Sequence, residues 1–106
     1  MTSPVLRAID LFAGCGGTST GAALAGVDVV AACNHWPVAV ETHALNHPRT
    51  QHVCQDIATV DPSSMPAHDI MLASPSCVGH TRARGKEQSH HDAARATADD
   101  VLRFAE

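Results

Sequence analysis

Aromatic residues are scarce in this chain: of its 106 residues two are Phe, one is Trp and none is Tyr. Any hydrophobic core must therefore be built mainly from Ala, Val, Leu and Ile. With 44% hydrophobic and 17% charged residues, the composition is nevertheless that of a folded protein rather than a disordered one. The length fits one domain.

Long hydrophobic runs are also missing. No apolar stretch approaches the roughly 18 residues that a membrane-spanning helix needs. The residues from Met1 to Pro4 carry neither the basic region nor the apolar region of a signal peptide. The sequence therefore predicts a cytoplasmic protein.

The cysteines and histidines lack the spacing of a metal or redox site. The four cysteines form no C-x-x-C pair, so we expect free thiols, and a thiol redox protein would need a second cysteine beside Cys77. Of the eight histidines, only His43 and His47 have a helical ligand spacing. Because a zinc site takes three or four converging ligands, we predict no metal site.

Positive charge is scarce overall but locally concentrated. The formal net charge of −4 has the wrong sign for a protein that binds nucleic acid by charge alone. Four of the seven Lys and Arg residues nevertheless follow Cys77 closely, namely Arg82, Arg84, Lys86 and Arg95. This segment is either a basic patch on an acidic body or an ordinary solvated loop.

Apolar runs alternate with segments of helical pattern. The pattern predicts strands over 5–12, 27–33, 51–55 and 69–73, and helices over 18–25, 38–45 and 92–106. The second helix carries Val38, Val40, Ala44 and Leu45 on its apolar side, and the last carries Ala94, Ala98, Val101, Leu102 and Ala105. A loop is predicted over 74–91. Such alternation indicates an α/β fold with a parallel sheet.

Three glycines, Gly14, Gly16 and Gly17, follow the first predicted strand. Glycine suits a tight turn that brings backbone N–H groups close to a nucleotide cofactor. Ser19 occupies the third glycine position of G-x-G-x-x-G, so the match to a dinucleotide motif is partial. The alternative is a plain strand-to-helix turn.

Candidate cofactor contacts follow the second and third strands. His35 stands where such folds usually place an acidic residue for the cofactor ribose. Trp36 either stacks on a purine or plugs the end of the sheet. Asp56 follows the third strand, where its carboxylate can accept from an adenine amino group.

Cys77 is the candidate nucleophile. A thiol at its ordinary pKa supplies little thiolate at neutral pH, so a nucleophilic cysteine needs cationic neighbours. His80, Arg82 and Arg84 are close in sequence. The alternative is an inert cysteine at a strand end.

These motifs together resemble the N-terminal part of a DNA cytosine-5 methyltransferase. The family's first motif, a strand followed by D-L-F-A-G-x-G-G, is matched from Asp10 to Gly17. The similarity continues through Asn34-His35-Trp36, the Asp56-Ile57 pair, and the cysteine loop ending in Ala83-Arg84-Gly85.

The resemblance implies a Rossmann-like parallel sheet of about four strands in the order 3-2-1-4, and S-adenosylmethionine as cofactor. It assigns cofactor binding to Phe12, Ala13, Gly14, Gly16, Gly17, His35, Trp36, Asp56 and Ile57. It makes Cys77 the residue that attacks C6 of a cytosine flipped out of double-stranded DNA. It gives DNA contacts to His80, Thr81, Arg82 and Arg84.

The chain departs from the family in two places and lacks several motifs. The usual Pro-Cys-Gln is Ser76-Cys77-Val78, and His35 replaces the acid after strand two. The Glu-Asn-Val motif, the Gln-x-Arg-x-Arg segment and the target-recognition region are not present. Residues 1–106 are therefore expected to be the cofactor-binding and catalytic-cysteine portion of a longer domain, as a fragment, a truncated product or half of a split enzyme.

Two other functions are considered. A cofactor-binding module or pseudo-enzyme of the same fold would retain these motifs without turnover alone. A fragment of a nicotinamide-dependent dehydrogenase would instead need a glycine near Ser19 and an acid near position 35, and the sequence has neither.

Overall fold

One parallel sheet organises the chain. The computed structural model describes residues 5–74 and 99–105. Its strands are β1 (Arg7–Leu11), β2 (Asp28–Asn34), β3 (Gln51–Cys54) and β4 (Ile70–Ala73), and they pair in the order β3-β2-β1-β4. The predicted sheet and its strand order are confirmed.

Two helices cover one face of the sheet. Helix α1 (Gly17–Leu24) follows β1, and α2 (Pro37–Asn46) follows β2. Gly26, with a φ of +85°, ends α1 in a left-handed conformation, and Pro37 occupies the first turn of α2. Side-chain hydrogen bonds between Ser19 and His43 and between Thr20 and His47 show that the two helices lie side by side.

The connection from β3 to β4 contains two short 3-10 turns, Ile57–Thr59 and Pro62–Ser64. Each begins after an aspartate, Asp56 or Asp61, whose side chain accepts a backbone N–H two residues on. These caps supply acceptors for N–H groups that a short helical turn leaves unpaired. Residues 99–105 are helical.

The hydrophobic core lies against the two central strands. Ile9 and Leu11 of β1 and Ala31 of β2 are fully buried. Ile57, Val60 and Phe104 pack into the same cluster, so the 3-10 turn and residues 99–105 contribute to one core. Among the described residues, no helix is long and apolar enough to cross a membrane.

The prediction for the apolar face of α2 was wrong for two of its four residues, since Val40 and Ala44 are half-buried. Val38 and Leu45 are 54% and 80% exposed, whereas Ala39 and His43 are buried. Small Ala39 lets the helix lie close to the sheet, and His43 is buried because other side chains supply its hydrogen bonds.

The stripe predicted for the last helix is wrong at Leu102 and Ala105, while Val101 is half-buried. Leu102 is 62% exposed and Ala105 is exposed, while Phe104 is buried. The ring of Phe104 offers more apolar area to the core than either of those side chains. Ala94, Ala98 and the predicted loop beyond Ser74 lie outside the described residues.

Candidate cofactor site

A cavity of about 400 Å³ lies at the carboxyl ends of the strands. It is lined by Phe12, Cys33, Asn34, His35, Gln55, Asp56, Ile57 and Ser74. Each of the four strands contributes a residue at or directly beyond its end. The cavity therefore lies where ligands bind in open α/β sheets, beside the switch point between β1 and β4.

The turn from β1 to α1 has a backbone that demands glycine. Gly14 and Gly16 have φ values of +57° and +108°. A Cβ on Gly16 would lie 3.2 Å from the rings of His43 and His47, so both conformation and space exclude larger residues there. The Gly16 N–H donates to the Ala13 carbonyl (3.2 Å), which closes the turn.

Phe12 is the one non-glycine residue with positive φ, 59°, among the described residues. A non-glycine residue in this region costs on the order of 1–3 kcal/mol and persists only when its surroundings hold it. The neighbouring Ala13 N–H donates to the Cys33 carbonyl (2.9 Å), which ties this turn to the end of β2. The strained residue lines the cavity.

The end of β2 presents polar groups to the cavity. The Asn34 side-chain oxygen accepts the Trp36 N–H (3.1 Å), and among the described residues the Asn34 amide N–H groups have no hydrogen-bond partner. His35 lines the cavity. Trp36 is 55% exposed and is not among the lining residues, so its indole lies at the margin of the site. This exposure contradicts the alternative in which Trp36 plugs the end of the sheet.

The end of β3 is fixed by contacts from a distant part of the chain. One Asp56 oxygen accepts the Ala58 N–H (3.0 Å), and the other carboxylate oxygen has no hydrogen-bond partner within residues 5–74 and 99–105. The Arg103 guanidinium donates to the carbonyls of Ile57 (2.8 Å) and Val60 (3.4 Å). Residues 99–105 therefore hold the 3-10 turn that carries Ile57.

Two buried titratable groups lie near the turn. Burial raises the pKa of Asp10, while hydrogen bonding from Ser19 and the charge of His47 act to lower it. Burial, and secondly the charge of Asp10, raise the pKa of the Cys33 thiol to about 11. Cys33 is therefore a protonated packing residue rather than a nucleophile.

Cys15, Cys33 and Cys54 are free thiols, as predicted. Cys15 and Cys54 are exposed. Within residues 5–74 and 99–105, no group of three or more His, Cys, Asp or Glu side chains is arranged to hold a metal ion.

Four predicted cofactor residues lie together in the cavity wall: Phe12, His35, Asp56 and Ile57. Ala13, Gly14, Gly16 and Gly17 form the adjoining turn, and Trp36 stands at the margin. Cys77, His80, Thr81, Arg82 and Arg84 lie outside the described residues. Ser74, the last described residue before that segment, lines the cavity.

Sequence reasoning did not assign Asn34, Gln55 and Ser74 to the site. All three directly adjoin predicted strand ends, and that position was the available signal. The hydrogen bonds from Arg103 to the Ile57 and Val60 carbonyls could not be predicted from the sequence, because they join positions more than forty residues apart.

Solved structures with this fold include DNA methyltransferases. A DNA modification methyltransferase encoded within an E. coli prophage matches with a TM-score of 0.69 and 33% identity, over 87% of this chain and 27% of that one. S. pombe Dnmt2 methyltransferase matches with a TM-score of 0.62 and 28% identity, over 92% of this chain and 29% of that one. A TehB-like SAM-dependent methyltransferase from Corynebacterium glutamicum, 16% identical, shares the fold alone (TM-score 0.59).

The sequence comparisons define the family. The profile of the C-5 cytosine-specific DNA methylases matches residues 6–104, so the chain belongs to that family. Type II methyltransferase M.DdeI of Desulfomicrobium norvegicum is 31% identical over 93% of this chain and 24% of its own length. M.HgiGI of Herpetosiphon aurantiacus is 34% identical over 91% and 78%, respectively. The resemblance inferred from the motifs is confirmed, and the chain spans about a quarter of M.DdeI.

Proposed function

We propose that this chain binds S-adenosylmethionine in the cavity at the strand ends, and that it takes part in methyl transfer to cytosine C5 in DNA within a longer or split enzyme. One observation carries the proposal. The Asp10–Gly17 motif folds into a strained turn beside a cavity to which all four strands contribute, in a chain of the C-5 cytosine-specific methylase family.

The residues of the cavity fit an adenosine group. Phe12 and Ile57 offer apolar surface, while Asn34, His35 and Asp56 offer hydrogen-bonding groups at its edge. We assign the free Asp56 oxygen to the adenine amino group and His35 to the ribose hydroxyls, because imidazole can donate or accept. Exposed Trp36 is available to stack on the purine.

The bound cofactor would supply an electrophilic methyl group to C5, with its S–CH3 bond broken and S-adenosylhomocysteine as the leaving group. The Cys77 thiolate would form a bond to C6 of a flipped cytosine, which makes C5 nucleophilic towards that methyl. Loss of the C5 proton to a base then restores the C5–C6 double bond and breaks the S–C6 bond. His80, Thr81, Arg82 and Arg84 would contact the DNA phosphates.

A second reading is that the 106 residues bind cofactor but do not turn over alone. It is favoured by length, since the chain spans 24% of M.DdeI and 31% of M.HgiDI. Residues 1–106 would then supply the cofactor-binding and catalytic-cysteine portion, and a further segment or a second polypeptide would supply the target-recognition region.

The sheet offers a place for that second component. Among the described residues, β4 pairs only with β1, so the other edge of Ile70–Ala73 is open. An apolar strand with one unpaired edge promotes association. We therefore expect the isolated chain to self-associate in sedimentation at micromolar concentration and to melt at low temperature. A monodisperse monomer with a cooperative, high melting transition would contradict this.

Cofactor choice is tested by isothermal titration of the chain with S-adenosylmethionine, S-adenosylhomocysteine and NAD. We expect weak binding of the first two and none of NAD. Glu41→Gln, on the exposed side of α2, is the matched control and should bind as the wild type does. A preference for NAD would overturn the assignment.

The catalytic role of Cys77 is tested in a preparation that contains the remaining family motifs and methylates DNA. Cys77→Ser should abolish methyl transfer and leave cofactor binding unchanged. Cys54→Ser, which changes an exposed thiol at the end of β3, is the control and should retain activity. Normal rates in Cys77→Ser would rule out the covalent route.

A further inference from the structure

A chain of side-chain hydrogen bonds runs behind the glycine turn, on the side away from the cavity. The Ser19 hydroxyl donates to the Asp10 Oδ2 atom (2.6 Å), and the His43 Nε2 atom lies 2.9 Å from the same hydroxyl. The other ring nitrogen of His43, Nδ1, lies 2.7 Å from Nε2 of His52. This chain, called here the Asp10–His52 network, joins β1, α1, α2 and β3.

The network is buried at its centre. Asp10, Ser19 and His43 are each at most 1% exposed, and only His52 is partly open to solvent. Buried polar groups are destabilising unless they are hydrogen-bonded. The Asp10–His52 network supplies partners for Ser19, His43 and the Oδ2 atom of Asp10, whereas Asp10 Oδ1 has no hydrogen-bond partner among the described residues. The methyl transfer chemistry makes no use of these groups.

The directions of the hydrogen bonds define which hydrogen-bonding groups the side chain at position 43 must carry. Because the one Ser19 proton points at Asp10, the His43 Nε2–H must donate to Ser19 Oγ. We then assign Nδ1 of the neutral ring as the acceptor and His52 Nε2 as the donor. Position 43 therefore needs a donor and an acceptor on opposite sides of one side chain.

The same ring also supports the turn by contact. A Cβ on Gly16 would lie 3.2 Å from Cδ2 of His43, so the ring packs directly beneath this glycine. Ser19 and Thr20 lie in the first turn of α1, where the Thr20 N–H donates to the Gly16 carbonyl (2.8 Å). The hydrogen bond from His43 to Ser19 and the ring contact with Gly16 thus hold two successive parts of the turn.

We propose that His43 is a positioning residue for the cofactor turn, holding Gly16 and the first turn of α1 in their bound geometry through Ser19 and Asp10. The cofactor part of this inference rests on the proposed function; the positioning of the turn does not. The groups that face His43 are Asp10 from β1, His52 from β3, His47 from α2 and the Ser19 hydroxyl from α1.

The charge state agrees with this role. Burial, and then the charges of His52 and His47, lower the pKa of His43 to about 4. The ring is therefore neutral near pH 7 and can donate at one nitrogen while it accepts at the other.

The test is amide hydrogen exchange, followed by NMR on the 106-residue chain. His43→Phe keeps a ring under Gly16 but removes both hydrogen bonds, whereas His43→Gln keeps a donor and an acceptor. In His43→Phe, the amides of Gly16 and Thr20 should exchange about tenfold faster, while those of β1 and β2 are unchanged. His43→Gln should restore most of the protection, and Glu41→Gln, on the exposed side of α2, should match the wild type.

Unchanged exchange at Gly16 and Thr20 in His43→Phe would overturn the proposal, as would an equal increase throughout the sheet. Should His43→Phe fail to fold, Ser19→Ala breaks the same network with a smaller change and must loosen the same two amides. Where the wild type binds S-adenosylmethionine, His43→Phe should also weaken that binding about tenfold. A wild type that binds no cofactor would count against the proposed function only, because exchange is measured without it.

Discussion

The two sides of the glycine turn differ in how their polar groups are satisfied. On the cavity side, Asn34 and Asp56 each use one side-chain oxygen within the protein and keep other polar atoms for a ligand. On the opposite side, Ser19 and His43 are saturated by the Asp10–His52 network. A turn that must bind a ligand on one side is thus held by hydrogen bonds within the protein on the other, as preorganised sites require.

Gly16 lies in the turn between the cavity and the Asp10–His52 network. Its replacement should therefore have the largest effect on stability and on cofactor binding. In Gly16→Val, a branched side chain must adopt a φ of +108° and meet the rings of His43 and His47. We expect a loss of about 2–4 kcal/mol in the free energy of unfolding and loss of cofactor binding. Chemical denaturation and calorimetry measure these.

The matched control for that variant is Gly21→Ala. Gly21 lies within α1, and nothing lies within 4 Å of the position that its Cβ would take. Alanine should stabilise the helix by up to about 1 kcal/mol. Equal losses in the two variants would show that the turn has no special requirement for glycine.

The Asp10–His52 network should make the free energy of unfolding depend on pH. The pKa of His43 is about 4 in the folded chain against 6.5 for the free side chain, so the unfolded chain binds more protons between these values. The stability that neutral His43 contributes is complete above pH 6.5 and is lost as the pH falls to about 4. The expected loss is up to about 3 kcal/mol.

Asp10 opposes this effect in the lower part of the range, because its raised pKa favours protonation of the folded chain. His43→Gln isolates the histidine contribution, since only the wild type carries it. Denaturation between pH 4 and pH 7 should show a smaller slope for the variant. Identical slopes would show that His43 does not contribute to the pH dependence of stability.

A substitution on the cavity side should change the affinity for the cofactor rather than the stability of the protein. Trp36 is 55% exposed, so Trp36→Ala should leave the melting temperature nearly unchanged. If the indole stacks on the cofactor purine, S-adenosylmethionine affinity should fall about tenfold. An unchanged affinity in titration calorimetry would place the purine elsewhere.

The smallest expected effect is that of removing the hydrogen bonds that Arg103 donates to the turn carrying Ile57. Arg103→Ala removes the hydrogen bonds to the Ile57 and Val60 carbonyls, and we expect a loss of about 1 kcal/mol in stability. Cofactor affinity should weaken only a few-fold. Arg49→Ala, which changes an exposed cation between α2 and β3, is the control and should alter neither quantity.

The sheet and half of the residues that line the cavity were predictable because their signals are local. Strands such as Arg7–Leu11 are apolar runs, and the glycines beyond β1 mark the turn directly. The buried side of α2 was not predictable from apolar spacing. His43 is buried through partners at positions 10, 19 and 52, and no periodicity within the helix records them.

Residues 99–105 also show that the pattern within one helix does not predict which of its side chains are buried. Phe104 packs into the core while Leu102 is exposed, because Arg103 and Phe104 contact the turn after β3. This docking depends on residues more than forty positions away. A helical stripe read within 92–106 alone could not include it.

The most direct measurement is an NMR titration of the chain with S-adenosylmethionine, with NAD as the comparison. We expect shift changes for the amides of Phe12, Gly16 and Ile57 with S-adenosylmethionine and none with NAD. A second, smaller cavity of about 250 Å³ lies near Val27 and Arg49, at the amino ends of β2 and β3. Shift changes confined to that cavity, or none at the glycine turn, would contradict the central claim.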